Sequence, residues 1–122
     1  MILKSYQTNK INLDENKFVM FHGKNQSLRE TSIKELTKNK SEILSYDEKE
    51  ILIDPSNFIE STLSKSFFED EKLIVIKRAS DKILKIVEEI TSKNIEDLII
   101  IIDAENLDKK SKLRNLFEKK YV

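Results

Sequence analysis

Phe18-Val19-Met20-Phe21-His22-Gly23 is the stretch whose residue types come nearest to binding chemistry. An apolar run that ends in glycine and enters a helical pattern is how a phosphate-gripping loop begins. The full pattern, G-x-x-x-x-G-K-[ST], uses its second glycine to let backbone N–H groups wrap the phosphates. Its lysine neutralises their charge, and its hydroxyl ligates Mg²⁺. Gly23, the one glycine of the chain, holds the first place, and Lys24, Asn25, Gln26 and Ser27 fill the spacer. Leu28, Arg29 and Glu30 then stand where Gly, Lys and Ser or Thr belong. Leu28 adds a side chain at a position meant for close backbone approach. Arg29 keeps the positive charge, but its planar fork is no replacement for a compact ammonium. Glu30 sets a carboxylate beside the phosphates it would have to attract. The same residues read better as a helix start, with Ser27-x-x-Glu30 as a capping box. His22, the sole histidine, reads as a strand-end residue rather than a ligand or base.

Two further clusters could carry chemistry. Asp103-Ala104-Glu105 closes an apolar run and has the acids that would help to hold Mg²⁺, but the run before it ends in basic Lys77-Arg78-Ala79. Without a phosphate loop the acids have no metal–nucleotide complex to hold, and Asp103 reads as a polar residue ending a buried strand. Phe67 and Phe68 stand side by side at a helix end, followed by Glu69, Asp70 and Glu71. An apolar tip with an acidic rim is the anatomy of a protein-binding hot spot. Phe67 also continues the Ile59 and Leu63 face at four-residue steps, so the alternative is that both rings tuck under the loop into the next strand.

The elements around these residues alternate. Strands are expected at Phe18–Phe21, Ile43–Tyr46, Leu73–Ile76 and Leu98–Ile102, with a fifth beginning at Tyr121-Val122. Helices are expected from about Ser27 to Asn39, with Leu28, Ile33 and Leu36 in the core, and from Asp54-Pro55 to about Ser66, burying Phe58, Ile59 and Leu63. Asp54 serves there as N-cap, with Pro55 first in the helix. Two more are expected around Ile83, Ile86, Val87 and Ile90 and around Leu113, Leu116 and Phe117. Near-continuous apolar strands between helices imply an α/β fold in three layers, with a mostly parallel sheet covered on both faces. A chain of 122 residues suits one domain. The run of apolar residues at 98–102 is far too short to span a bilayer, which takes about 20 residues.

Composition narrows the function. With 22 basic and 22 acidic residues the formal charge is zero, against a strongly basic nucleic-acid binder. No cysteine means no disulfide, zinc thiolate site or thiol nucleophile. No catalytic residue, metal site or cofactor is expected, and the chain reads as cytoplasmic and soluble.

Taken in order, Phe18-Val19-Met20-Phe21-His22-Gly23-Lys24-Asn25, Ser66-Phe67-Phe68-Glu69-Asp70-Glu71-Lys72-Leu73-Ile74-Val75-Ile76, and Ile100-Ile101-Ile102-Asp103 with Leu107-Asp108-Lys109-Lys110-Ser111-Lys112-Leu113 resemble the N-terminal domain of the delta subunit of the bacterial DNA polymerase III clamp loader. The resemblance covers essentially all of residues 1–122, and the order and spacing of the stretches are more specific than any one of them. It implies a P-loop/AAA+-like core with a degenerate phosphate loop at Gly23, Leu28, Arg29 and Glu30 that binds no ATP. It also implies a partner, the ring-shaped sliding clamp (beta subunit). A Ser-Leu-Phe-like element at a helix end contacts the clamp in this family and helps to open the ring. Ser66, Phe67 and Phe68 fall on that element, with Phe67 in place of the commoner leucine, and the resemblance favours the exposed hook over the buried pair. Other loader subunits would be met through further domains, and DNA only indirectly.

Three alternatives are set beside this one. A nucleotide-binding P-loop-like ATPase with an unusual loop would bind Mg²⁺-ATP around Gly23 and Asp103. A receiver-like signalling domain would need clustered acids at the strand ends, for which Asp47 and Asp103 are poorly placed. Direct DNA binding would use Lys109, Lys110, Lys112 and Arg114, a patch that Asp108 and Glu118 dilute.

Overall fold

A computed structural model describes residues 2–3, 17–40, 43–63, 72–93, 98–105 and 107–121. The strands are β1 (Ile2–Leu3), β2 (Phe18–His22), β3 (Ile43–Asp47), β4 (Lys72–Ala79) and β5 (Leu98–Ala104). They form one sheet in the order β1-β2-β5-β4-β3, and every pair is parallel. The helices are α1 (Gln26–Thr37), α2 (Glu48–Ile53), α3 (Pro55–Leu63), α4 (Leu84–Ser92), entered through a 3₁₀ turn at Asp81–Ile83, and α5 (Lys112–Tyr121). No described helix is long and apolar enough to cross a membrane.

β5 is the centre of the sheet. All seven of its residues are buried, and it pairs with β2 on one side and β4 on the other. A strand closed in on both faces and both edges has no polar face to show, which is why it is an unbroken Leu-Ile-Ile-Ile-Ile run. The two faces are covered unequally. Met20, Ile74, Ile76, Ile100 and Ile102 meet Ile51 of α2, Phe58 of α3, Ile86, Val87 and Ile90 of α4, and Leu113 and Phe117 of α5. On the other face Val19, Phe21, Val75, Ile99 and Ile101 meet, among the described residues, Ile33 and Leu36 of α1. α1 is the crossover from β2 to β3, the strand at the far edge of the sheet.

The four long strands and four longer helices lie where the apolar periodicity puts them. Asp54 caps α3 as expected, its Oδ1 accepting from the Asn57 backbone N–H at 3.2 Å. Four expectations change. Leu28 is 45% exposed, not core, because α1 turns Ile33 and Leu36 to the sheet and leaves Leu28 near the loop. Ile59 and Leu63 are half-buried, and Thr62 between them is the buried residue. No strand begins at Tyr121, which is the last residue of α5; two residues of strand-favouring type do not outweigh a continuing helical turn. A fifth strand, β1, lies beside β2, and periodicity did not pick it out. Helix α2 was also missed, although Asp47 caps it by accepting from the Lys49 N–H at 3.1 Å and Glu48 and Glu50 sit in its first turn.

Two carboxylates fasten helix ends across the fold. Buried Glu48 accepts from the Ser80 N–H and hydroxyl at 2.9 Å each, tying the start of α2 to the end of β4. Asp81 accepts from the Ser111 hydroxyl at 2.5 Å, the Leu113 N–H at 3.2 Å and the Lys112 N–H at 3.4 Å, and so caps α5 from the turn before α4. These donors, the Ser111 hydroxyl foremost, hold the Asp81 carboxyl below its ordinary value. A depressed folded value means stability that is present above the unfolded carboxylate pKa of about 3.9 and is lost as pH falls through the folded one. Asp81→Asn is therefore expected to be less stable than the parent near neutrality, and the gap between their urea midpoints is expected to close as pH drops below about 4. In the core, Phe117→Ala empties a fully buried ring and is expected to cost about 3–5 kcal/mol in the same urea titration.

Candidate functional site

In parallel α/β sheets, ligands settle at the carboxyl ends of the strands, where neighbouring strands send their connections to opposite faces. β2 and β5 are such a pair: β2 leads into α1 on one face, and β5 leads into α5 on the other. The crevice between them is bordered by His22, Gly23 and Asp103, the residues that sequence reasoning singled out.

It is filled by the protein's own guanidinium. Arg29, in the first turns of α1, is buried at 8% exposure. Its Nε donates to Asp103 Oδ1 at 2.6 Å, and its NH1 donates to the carbonyl oxygen of Gly23. The side chains of this ion pair are 10% and 7% exposed. A loop built to hold phosphate presents N–H groups to the anion; here the Gly23 carbonyl turns toward a cation instead. Gly23 has φ +144°, a backbone region that glycine visits readily and other residues do not. A Cβ there would meet no atom within 4 Å, so the requirement is conformational rather than steric.

The helix start differs from expectation at this point. Asn25, not Ser27, is the N-cap: its Oδ1 accepts from the Leu28 N–H at 3.0 Å, and its carbonyl accepts from the Arg29 N–H at 3.1 Å. Ser27 lies inside the helix and its carbonyl accepts from Thr31 Oγ1. Glu30 is exposed and accepts from Gln26 Nε2 at 2.9 Å rather than reaching back to a cap. Drawing Arg29 inward to Asp103 sets the phase of α1, and that phase makes Asn25 the residue at the boundary. His22 is half-buried at the strand end.

The neighbouring rim holds a second Arg–Asp pair. β4 shifts register between Lys77 and Ala79, and Arg78 at that irregularity has φ +55°. Its Nε donates to Asp47 Oδ2 at the end of β3. The Lys49 N–H, and then the Arg78 guanidinium, hold the Asp47 carboxyl below the usual carboxylate range. Arg78, at the basic end of β4, is thus engaged by an acid of the next strand. Among the described residues no cluster of three acids or histidines could hold a metal ion. Ser66, Phe67 and Phe68 lie outside the described residues. Of the basic residues near α5, Lys109, Lys110 and Lys112 are exposed, while half-buried Arg114 donates to the Leu107 carbonyl at 3.2 Å.

Sequence reasoning picked Arg29 and Asp103 separately but did not join them. The available signal was the pairing itself: a basic residue one turn into the first helix and an acid at the end of the most apolar strand. The receiver-like alternative fails on topology. In that fold the first strand lies between the second and third, whereas here the first long strand, β2, pairs with the last, β5, and never with β3 or β4.

A buried pair is destabilising to break because the survivor is an uncompensated charge, costing about 3–5 kcal/mol, whereas replacing both partners by apolar groups is often neutral. Arg29→Met is expected to lose about that much stability in chemical denaturation. The double substitution Arg29→Met/Asp103→Leu is expected to recover most of the loss.

Comparison with known proteins bears on what this end of the sheet serves. The model of the family described as DNA polymerase III, delta subunit, matches residues 15–122. Neither the curated proteins nor the solved structures returned a match.

Proposed function

The chain belongs to the DNA polymerase III delta subunit family, a component of the clamp loader, and from that premise we propose that residues 1–122 are its AAA+-like N-terminal domain, which grips the sliding clamp through Phe67 and Phe68 and helps to open the ring for loading onto DNA. The observation that carries this reading is the family match, whose bounds, residues 15–122, include Ser66-Phe67-Phe68-Glu69-Asp70-Glu71. Burying two large apolar side chains in a pocket of the clamp would contribute on the order of 3–6 kcal/mol before the costs of association. Ring opening adds a further condition. The hook must prefer the strained or open interface over the closed one, since only a difference in affinity shifts an equilibrium.

In this reading Gly23, Leu28, Arg29 and Glu30 are a degenerate phosphate loop and the domain is non-catalytic. The support is physical. A nucleotide would have to displace a buried guanidinium from its carboxylate and turn a carbonyl out of the crevice. Control by ATP would then reside in partner subunits, met through further domains. DNA would be touched weakly at most, and the place of work would be the cytoplasm.

Two measurements test the proposal. In a binding titration against the sliding clamp of the same organism, the chain is expected to bind and Phe67→Ala/Phe68→Ala to lose affinity about a hundredfold or more while keeping its melting transition. A folded parent chain that ignores the clamp, or a double variant that binds as well as the parent, overturns the hook. In a melting experiment Mg²⁺-ATP is expected to leave the transition where it is, and an upward shift would restore the ATPase alternative.

A further inference from the structure

We infer that the outer edge of β3 and the trough beside it form a docking strip for an extended, acidic–apolar segment of another protein. The inference is independent of the clamp-binding reading and uses no residue of the hook.

The strip follows from the unequal cover of the sheet. Five strands spaced about 4.8 Å apart make a face roughly 20 Å wide, and one helix with its side chains is about 10–12 Å across. α1 packs on β2, β5 and the inner side of β4, so among the described residues no helix lies over the β3 side of that face. Leu44 and Tyr46 turn to the opposite, larger core, which leaves Ile43 and Ser45 facing the uncovered side. Both are exposed, Ile43 to 40%. Between them and the α1 stripe of Glu30, Ile33, Lys34 and Thr37 runs a trough of about 320 Å³ floored by Val75.

Two features say what fits there. Among the described residues β3 is outermost in the sheet and pairs with β4 alone, so the hydrogen-bonding groups on its other side face outward. Such an edge accepts an extended backbone as a further strand, with alternate side chains falling on the sheet face. The charges then select those side chains. Lys34 and Lys77, both exposed, border the trough and form no ion pair with a described residue. Of the nearby acids, Asp103 is paired with Arg29, and Asp47, the register partner of Lys77, with Arg78, while Glu30 accepts from the neutral Gln26 amide and keeps its charge, so one of the two lysine charges is left uncompensated. An occupant strand with a carboxylate toward the lysines and aliphatic groups toward Ile33, Ile43 and Val75 matches the strip in backbone, shape and sign.

The probe is a fluorescein-labelled octapeptide, Thr-Val-Thr-Asp-Thr-Val-Thr-Val, beside the same peptide with lysine for aspartate. With the full chain, the aspartate peptide is expected to bind at least tenfold tighter than the lysine peptide. Amide resonances of Ile43–Asp47 should shift on binding. Lys34→Glu/Lys77→Glu is expected to abolish or invert the preference, whereas Lys85→Glu/Lys93→Glu, a matched charge change at exposed positions in α4 and at its C-terminal cap, leaves it intact. Absence of binding, equal binding of the two peptides, or indifference to the Lys34/Lys77 reversal overturns the inference. So does a concentration-dependent dimer weakened by Ile43→Thr, which would assign the edge to a second copy of the chain.

Discussion

The ion pair between Arg29 and Asp103 organises this end of the protein, and it depends on β5. Asp103 is carried near the end of a strand buried along its whole length, and it cannot withdraw to water without taking that strand out of register. Burying the five large apolar side chains of residues 98–102 contributes on the order of 10 kcal/mol, an upper figure because unfolded chains already bury some surface. Breaking the ion pair costs about 3–5 kcal/mol. The strand therefore sets the position of the acid, and the acid sets the position of the arginine. Through Arg29 the constraint reaches the phase of α1, the capping role of Asn25 and the inward turn of the Gly23 carbonyl.

The two Arg–Asp pairs at the carboxyl end of the sheet are not equivalent. Arg78 is exposed, and its pair with Asp47 is a surface ion pair that solvent and salt screen. Its significance is geometric, since it accompanies a left-handed backbone turn and a shift of strand register at the end of β4. The pair in the crevice is desolvated and also engages a backbone carbonyl, so it closes the place where a parallel sheet would otherwise take a ligand. For a clamp-loader component this directs attention away from the strand ends and toward surfaces that meet other proteins.

The layering has the same origin in unequal demand for cover. The face under α2, α3, α4 and α5 carries the larger core, and Glu48 and Asp81 pin the starts of α2 and α5 against it. The other face is left to α1, because the crossover from β2 must travel to the far edge before β3 can form. Among the described residues no strand lies beyond β3, beside Lys34 and Lys77.

Much of this was legible in the residues themselves. The apolar runs at Phe18–Phe21, Leu73–Ile76 and Leu98–Ile102 marked buried parallel strands, because only a strand covered on both faces dispenses with polar alternation. Asp54-Pro55 marked a helix start, because cap chemistry is local. Leu28, Arg29 and Glu30 marked a departure from phosphate-loop chemistry, and the order of the motifs marked the family. Helix α2 and β1 were missed because six and two residues hold too few periods to register. Leu28 was put in the core and Ser27 made the cap because helix phase was read from neighbours in sequence. That phase is decided by Asp103, which lies 74 residues from Arg29. The sequence by itself thus determined the longer strands and helices, since these follow from residue type and periodicity at short range. Strand order, the partner of Arg29 and the open edge of β3 were left to the tertiary structure, because each depends on which distant segments the sheet brings side by side.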